Sequence, residues 1–453
     1  MAPVPRYVGT IICVAAEHVL RRRDVWLGQE DSEKTMRAEP ISCYRPTPDR
    51  VATFASLPYD VFDRGQAADY VRAHPGSFLE IDRPETAFPP QHDMYAPEVY
   101  AKAAQILRLR IDDGTLVKDT LPCYYLYHLE QDGHAQTGIV CACSIDEYED
   151  GTIRRHESTT AAKEADRIEH IRATGAQTGP ILLAYPDDPT LDSLVQRAGE
   201  AAPLYDFTDD SGVRQTVWRI ACAKTIEAIR KAFSSIGHAY IADGHHRAAS
   251  AAKLGLMMRA RRRAGHGTGK SPSDLFLTVL FPASQLKLLA YNRVVSDLAG
   301  HTPAELLAAI AAAGFSVSAP SVSATPPRER GRFCLYLNGS WRDLEFVDAS
   351  SLPDDPVSRL DAQILQDRIL GPILGIDDPR TSERVRFIGD IEGAGRLEEL
   401  AGTHGAAFSL FPTSIDELMT VSDAGRLMPP KSTWFEPKLR SGLFIREIRE
   451  DAK

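Results

Sequence analysis

An apolar segment that ends in a run of ionisable residues constrains the fold of this chain most. Residues 240–255 read YIADGHHRAASAAKLG, and the apolar run from Ala239 to Ala242 is typical of a short buried strand. Gly244 permits a sharp turn. Small and apolar residues then recur at helical spacing, at Ala248, Ala251, Ala252, Gly255 and Met258. The segment therefore predicts a strand, a tight turn and a helix that begins near His245.

The first turn of the predicted helix carries His245, His246 and Arg247. Backbone N–H groups are free there, the helix dipole favours an anion, and an arginine fork suits phosphate oxygens. The imidazoles add donors or a proton shuttle. Asp243 would disfavour a simple phosphate site unless it binds Mg²⁺ or accepts a proton, so the set favours phosphoryl transfer. The structural alternative is that Asp243 caps a solvated helix start.

A second polar cluster, RRHESTTAAKEADRIEHIRATGAQTGP, spans residues 154–180. His156-Glu157 is not a zinc-protease signature, because residue 160 is threonine. A surface helix with charged residues one turn apart explains most of this cluster. Glu157 lies outside the body of that helix and adjoins a histidine, which makes it a candidate general base.

A third polar stretch, MPPKSTWFEPKLRSGLF, occupies residues 428–444. Its prolines restrict the backbone, while its lysines and hydroxyl groups could line a phosphate site. The candidate phosphate-binding residues are Lys431, Ser432, Thr433 and Lys438. A polar surface loop explains the same composition equally well, and the sequence leaves both interpretations open.

The sequence AGHGTGKS at residues 264–271 matches a relaxed phosphate-loop pattern. A working phosphate loop needs a buried strand before the glycines and a helix after them. Here an arginine-rich helix end precedes the glycines and Pro272 follows them. We therefore interpret this segment as a flexible loop.

Predicted strands and helices alternate along most of the chain, which indicates a mixed α/β fold of the α+β class. Residues 77–82, 179–185 and 275–281 are predicted strands, residues 96–114 a helix, and Asp132-Gly133 the turn of a hairpin. The predicted organisation is an extension over residues 1–37, an α/β region over 38–315, a linker or long loop over 316–331, and a C-terminal α+β unit over 332–453.

Composition limits the classes of partner. The 453 residues carry a net charge of −10, which argues against nucleic acid or an anionic membrane. No apolar run approaches the roughly 20 residues of a membrane span, and residues 8–16 do not fit a signal peptide. The seven cysteines form no C-x-x-C pair, and Cys141 and Cys143 are expected in a buried strand. These features predict a cytoplasmic protein with reduced thiols, with a homodimer open as its assembly.

Together the motifs resemble a bacterial and archaeal family catalogued as domain of unknown function 1015. The resemblance runs from about Glu39 to Phe444 and is most specific at ADGHHR and PPKSTWFEPKLRSGLF. Other matching segments are RPTPDRVATFASLPYDV, HPGSFLEIDRPE, RHEST, TGPILLAY, LAYNRVV and FPTSIDELM. The pattern departs from the family at His74-Pro75, where NP-x-SF is usual.

The DGHHR run is also similar to the phosphate-binding turn of free serine kinases with a ParB/sulfiredoxin-like fold. This similarity implies a ParB/sulfiredoxin-like phosphate-binding core with additional α/β elements. It further implies that Asp243 and His246 lie at the reacting phosphate. Gly244, His245 and Arg247 are then phosphate ligands.

The activity that this resemblance implies is the phosphorylation of free L-serine, with pyrophosphate or a nucleotide as the phosphoryl donor. Glu157 is the candidate base for the acceptor hydroxyl, and Mg²⁺ near Asp243 would bridge donor oxygens. Lys431 and Lys438 would neutralise developing charge, together with Arg247. Two other functions stay open: a non-catalytic switch that binds nucleotide or phosphate, and a phosphohydrolase that uses water as acceptor.

Overall fold

A computed structural model of the protein describes residues 35–449. Chain contacts divide the sequence into residues 1–34 and 35–453. The predicted extension and the apolar stretch at residues 8–16 therefore lie outside the described residues, except for Thr35–Arg37. Met36 is fully buried and its N–H donates to the carbonyl of Ile236 at 3.0 Å. The packed chain thus begins before the predicted end of the extension at residue 37.

Nine strands form the first sheet, which is mixed. In spatial order they are Ile153–Arg154, Ala239–Asp243, Ile181–Tyr185, Leu275–Pro282, His134–Ser144, Tyr124–Gln131, Arg214–Ile220 and Tyr205–Thr208, and Ala38–Glu39 pairs with His134–Ser144. The strands beside the Ala239–Asp243 strand run parallel to it on one side and antiparallel on the other. The predicted strands near residues 181, 239 and 275 and the hairpin at Asp132-Gly133 are confirmed.

The centre of this sheet is buried on both faces. In the strand Ile181–Tyr185, Leu182 packs in one apolar cluster and Leu183 packs in another on the opposite side. Successive side chains of a strand point to opposite faces, so a strand covered on both sides reads as a continuous apolar run. This is why the run ILLAY predicts a strand although it shows no alternation.

Six strands form the second sheet. In spatial order they are Phe315–Val317, Ser340–Phe346, Arg332–Leu337, Ala406–Leu410, Tyr291–Val295 and Val385–Gly389. Residues 318–331 connect two strands that both pair with Ser340–Phe346, so the Ser/Pro-rich segment is a loop within this sheet. The strand Tyr291–Val295 comes from the region N-terminal to that loop. The other domain boundaries stay a prediction.

Three further strand pairs are short: Tyr44–Pro46 with Leu116–Lys118, Lys287–Leu289 with Trp434–Glu436, and Ala176–Gln177 with Arg446–Glu447. The α-helices of the described residues are Val51–Phe54, Arg64–Ala73, Leu79–Asp82, Pro97–Asp112, Ile145–Glu149, Ala161–Thr174, Pro189–Gly199, Ala223–Phe233, His245–Ala264, Pro303–Ala312, Asp361–Leu365, Gly393–Ala401 and Ile415–Asp423. The predicted mixed α/β fold class is confirmed, as is the helix within residues 96–114.

The prediction of a strand over residues 77–82 is wrong. Leu79–Asp82 is a short helix. Phe78, Leu79 and Ile81 are all fully buried, and Asp82 accepts a hydrogen bond from Thr178 at 2.7 Å. Every residue from Ser77 to Glu85 except Glu80 is buried, so burial shows neither helical spacing nor the alternation of a half-exposed strand. The short apolar run did not separate these two periods.

Two smaller predictions concern Cys141 and Cys143 and the glycine-rich segment at residues 264–271, here called the decoy loop because it only resembles a phosphate loop. Cys141 and Cys143 are fully buried in one strand, and both thiols lie near the hydroxyl of Thr278, at 3.2 and 3.4 Å. The decoy loop begins at the last residue of the helix His245–Ala264 and continues as a loop with no strand before it. No helix among the described residues is long and apolar enough to cross a membrane.

Candidate functional site

The residues Asp243–Arg247, here called the junction, form the end of a strand and the start of a helix. The strand Ala239–Asp243 changes register with Ile181–Tyr185 just before Asp243, and such irregularities re-aim side chains. Gly244 has a φ of +97°, a conformation that residues with a Cβ rarely adopt. The helix then runs from His245 to Ala264. The predicted strand, turn and helix are confirmed.

Asp243 lies between two basic side chains. Its carboxylate accepts a hydrogen bond from Nη2 of Arg247 at 2.9 Å, and Nζ of Lys438 lies 3.8 Å from the other oxygen. Burial would raise the pKa of Asp243, but Lys438 and Arg247 outweigh it and hold that pKa well below its usual range. Asp243 is therefore a fixed anion at neutral pH.

Arg247 is buried and is held by the backbone just before the strand Ile181–Tyr185 as well as by Asp243. It donates to the carbonyl of Pro180, and its Nε, also buried, has no hydrogen-bond partner. Gly244 makes this arrangement possible, because a Cβ at that position would lie 2.9 Å from Nε of Arg247. Gly244 thus serves the conformation of the turn and the close approach of the guanidinium.

Glu157 reaches the junction because two parallel strands end at the same edge of the first sheet. Arg154 pairs with Tyr240, so Glu157 and Asp243 each follow that pair by three residues. One carboxylate oxygen of Glu157 lies 3.7 Å from Nδ1 of His245. Burial raises the pKa of Glu157, with Lys431 opposing and Asp243 adding to the shift.

The two histidines of the junction have different surroundings. His245 is 5% exposed and packs edge-on against His156, with ring centres 4.5 Å apart. Burial lowers the pKa of both rings, that of His156 to about 4, so both are neutral at pH 7. His246 is only partly buried, and its Nε2 accepts a hydrogen bond from the backbone N–H of Thr160 at 3.1 Å. His246 therefore holds the start of the helix Ala161–Thr174.

Residues 429–438, here called the lysine loop, bring the C-terminal candidates to the junction. Lys438 reaches Asp243, and Lys431 influences the pKa values of both Asp243 and Glu157. The hydroxyl groups are engaged within the protein. Ser432 donates to the carbonyl of Pro429 at 2.8 Å, and Thr433 lies 3.1 Å from Nε2 of His156.

The structure adds residues that the sequence did not suggest. Lys431 lies over the ring of Tyr291 at 5.4 Å, and Lys438 over Trp434 at 5.1 Å. Asp60 acts electrostatically on Glu157, Arg247 and Lys431. Asp60 and Tyr291 fall in two of the motifs that carry the family resemblance, YDV and LAYNRVV, which is the signal that could have found them.

A bound cation would find few protein ligands here. No group of three or more histidine, cysteine, aspartate or glutamate residues in the described part of the chain is placed to hold a metal ion. Mg²⁺ is commonly bound through one or two carboxylates, with water and substrate phosphates as the other ligands. Asp243 fits that mode as a single carboxylate ligand.

Comparison with solved structures finds distant similarity. A free serine kinase in complex with AMP shares 12% sequence identity, with a TM-score of 0.35, over 68% of this chain and 91% of that chain. A mutant of a free serine kinase in complex with ADP shares 14%, with a TM-score of 0.35, over 68% and 92%. SbnI from Staphylococcus aureus, with a C-terminal truncation, shares 11%, with a TM-score of 0.37, over 69% and 90%. No curated protein matches the sequence.

Comparison with protein families gives a match over most of the chain. The matched range is residues 38–363, which includes Glu157 and the whole junction. The lysine loop lies C-terminal to it. The chain belongs to the family described as protein of unknown function (DUF1015).

Proposed function

We propose that this protein is a small-molecule phosphotransferase that moves a phosphoryl group onto the hydroxyl of free L-serine. The observation that carries the proposal is the pairing of Asp243 with Lys438 and Arg247 beside a carboxyl, Glu157, whose pKa is raised. A simple anion-binding pocket needs the basic groups and the helix start but neither carboxylate. Transfer to a hydroxyl can use both.

The basic groups suit a donor with several phosphate oxygens. Lys431, Lys438 and Arg247 surround the start of a 20-residue helix, where free N–H groups and the helix dipole also favour anions. Phosphoryl transfer depends mainly on positioning and on neutralising charge that develops at the transferred group. These three cations are the residues to which we assign that task.

Glu157 is the proposed general base. A base works best when its pKa lies near the working pH, and burial moves the pKa of Glu157 in that direction. His245 lies 3.7 Å from the carboxylate of Glu157, and burial lowers its pKa well below the usual range, so it is too weak a base to compete for the proton of the acceptor. The proton of the serine hydroxyl would pass to Glu157 as the oxygen attacks phosphorus. The bond between that phosphorus and the bridging oxygen of the donor would break, and inorganic phosphate would leave when the donor is pyrophosphate.

Mg²⁺ is the proposed cofactor and would neutralise charge on the donor oxygens when bound. Asp243 is the residue that would hold it, because its carboxylate stays ionised at neutral pH. The other ligands would be donor oxygens and water.

Reduced cysteines in the described chain fit a cytoplasmic setting, where such a reaction would take place.

Pyrophosphate is the donor that we favour over a nucleotide. The aromatic rings beside the site already carry a basic group over a face: Lys431 over Tyr291, Lys438 over Trp434, and Arg167 over Tyr59 at 4.0 Å. A base that stacked on one of these covered faces would displace the cation from it. Pyrophosphate needs only the phosphate ligands.

Phosphorus NMR tests the proposal directly. The protein is incubated with Mg²⁺ and L-serine and with pyrophosphate, ADP or ATP in turn. We expect phosphoserine to form only when serine is present, and fastest with pyrophosphate. Donor loss without serine would identify a hydrolase. Donor binding without any turnover would identify a non-catalytic switch and would overturn the proposal.

A variant pair tests the role of Glu157. Glu157→Gln keeps the shape of the side chain and removes the base, so turnover should fall by about 100-fold or more while pyrophosphate binding persists. Glu200→Gln is the matched control, because Glu200 is exposed at the end of the helix Pro189–Gly199. Full activity of Glu157→Gln would show that another group is the base.

A further inference from the structure

A buried arginine in the second sheet faces the lysine loop. Arg293 lies in Tyr291–Val295, a strand that pairs with neighbours on both sides, and it is 3% exposed. Among the described residues, no carboxylate lies within ion-pair distance of it. A buried charge without a counter-ion is costly unless its hydrogen bonds are satisfied. The contacts of Arg293 therefore indicate why a charge is kept there.

Both hydrogen bonds of Arg293 go to backbone carbonyls next to the site. Nη1 donates to the carbonyl of Tyr291, and Nη2 donates to that of Pro430 at 3.2 Å. The guanidinium also lies over the ring of Phe387, 5.1 Å from its centre. Burial lowers the pKa of Arg293 to about 10, so the group remains charged at neutral pH and keeps its donors.

The two carbonyls belong to the surroundings of Lys431. Pro430 directly precedes Lys431, and the ring of Tyr291 lies beneath the Lys431 ammonium. Lys431 has a φ of +53°, which is uncommon for a residue with a side chain and is kept only where neighbouring contacts require it. One planar fork thus ties the backbone before Lys431 to the residue under its side chain.

A second buried arginine also donates to backbone carbonyls without a carboxylate partner. Arg446 is 6% exposed, and it donates to the carbonyls of Leu275 at 3.1 Å and Pro272 at 2.8 Å. No carboxylate in residues 35–449 pairs with it either. Arg446 joins the C-terminal segment to the first sheet, whereas Arg293 joins the lysine loop to the second.

We propose that Arg293 is a positioning residue that fixes Lys431 for binding of the phosphoryl donor. The second sheet thereby takes part in the site through a residue that need not touch the substrate. The inference rests on the proposed function for the identity of the donor. The clamp itself, from Arg293 to Pro430, does not depend on it.

Two variants and one control test this role. Arg293→Met removes the charge and both donors, while Arg293→Lys keeps the charge but lacks the planar fork that spans two carbonyls. Arg386→Met is the matched control, because Arg386 is exposed on the adjacent strand, opposite Val294. Thermal melting of each variant establishes that the chain is folded.

The first measurement is cleavage after Lys431 by a lysine-specific protease. This measurement does not depend on phosphoryl transfer by the protein. We expect about tenfold faster cleavage in both Arg293 variants, because loss of a charge-assisted hydrogen bond loosens the loop by about that factor. The second is binding of inorganic pyrophosphate by calorimetry, which should weaken about tenfold. Arg386→Met should match the natural protein in both.

The outcomes separate this inference from the proposed function. Wild-type cleavage and wild-type pyrophosphate binding in both Arg293 variants would overturn the positioning role. If Arg293→Met does not fold, Arg293→Lys decides, and if neither folds, Arg293 serves the core and the proposal is wrong. Suppose that cleavage is faster in the Arg293 variants but the natural protein transfers no phosphoryl group. The positioning role of Arg293 would then stand, and the proposed phosphotransferase function would be wrong.

Discussion

The junction and the lysine loop meet at one site but are built in different ways. The junction is five consecutive residues whose conformation follows from a strand end, one glycine with positive φ and a helix start. The lysine loop is held from far away in sequence, by His156, by the carbonyl contact of Arg293 and by pairing with Lys287–Leu289. Local geometry therefore fixes the anion Asp243 and its partner Arg247, whereas long-range packing fixes the lysines that face them.

The strongest test of this difference is Asp243→Asn. The variant keeps the side-chain shape but removes the charge that Lys438 and Arg247 share, so both cations are left facing a neutral amide. We expect turnover to fall by about 100- to 1000-fold, the range for loss of one preorganised electrostatic group. Phosphoserine formation is followed by phosphorus NMR.

The control for that variant is Asp416→Asn, at an exposed aspartate in the first turn of the helix Ile415–Asp423. It should retain full turnover. If Asp243→Asn also retained turnover, Asp243 would be a structural partner of Arg247, and the junction would be an anion-binding turn without a catalytic carboxylate.

The junction could be predicted from the sequence because its determinants are neighbours along the chain. An apolar run, a glycine and small residues at helical spacing specify each step without reference to the rest of the fold. The same holds for the hairpin at Asp132-Gly133, where both residues adopt positive φ, as a tight two-residue turn requires. Where an apolar run was short, as at Phe78–Ile81, the local pattern did not suffice.

For the lysine loop, the sequence predicts only that lysines and hydroxyl groups are concentrated there, and not which groups they contact. Its lysines stood out among prolines, but nothing in that stretch shows that Lys438 would reach Asp243 while Ser432 would turn to Pro429. Arg293 was missed for a related reason. It lies in a short, largely buried strand, and only the packing of two distant segments shows that its fork reaches Pro430.

His156 contacts both the junction and the lysine loop, so protonation of its ring should destabilise the packing between them. Its ring packs on His245 and lies near Thr433. The pKa of His156 is about 4 in the folded chain and near 6.5 when unfolded. Between these values only the unfolded chain binds the proton, so stability falls as pH decreases from 6.5 to 4, by up to about 3 kcal/mol.

Urea unfolding at pH 7 and pH 4.5 measures this loss. His156→Gln should lose less stability between the two pH values than the natural protein, because the proton-linked part is absent. His404→Gln, at an exposed histidine, should keep the full loss. Equal losses in all three chains would mean that His156 does not link the halves through its protonation.

Gly244→Ala tests how much of the junction depends on its turn. A Cβ at φ +97° is strained by about 1–2 kcal/mol, and this one would also press on Arg247. Gly151→Ala is the matched control, because Gly151 has a φ of +80° and open space around its Cβ position. Urea unfolding should show a loss of about 1 kcal/mol at Gly151 and a clearly larger one at Gly244. Equal losses would show that Arg247 moves aside freely.

The smallest expected effect comes from the lysine loop acting on Glu157. Lys431 lowers the pKa of Glu157, so Lys431→Met should raise it. The base must be deprotonated, hence activity is lost as pH falls through this pKa, and the acid limb of the kcat profile should move to higher pH. Solvent screening limits the shift to about one pH unit or less.

Lys270→Met is the control for this variant. It changes an exposed lysine of the decoy loop and should leave the profile in place. A profile that Lys431→Met does not move would mean that Lys431 acts on the donor and not on Glu157.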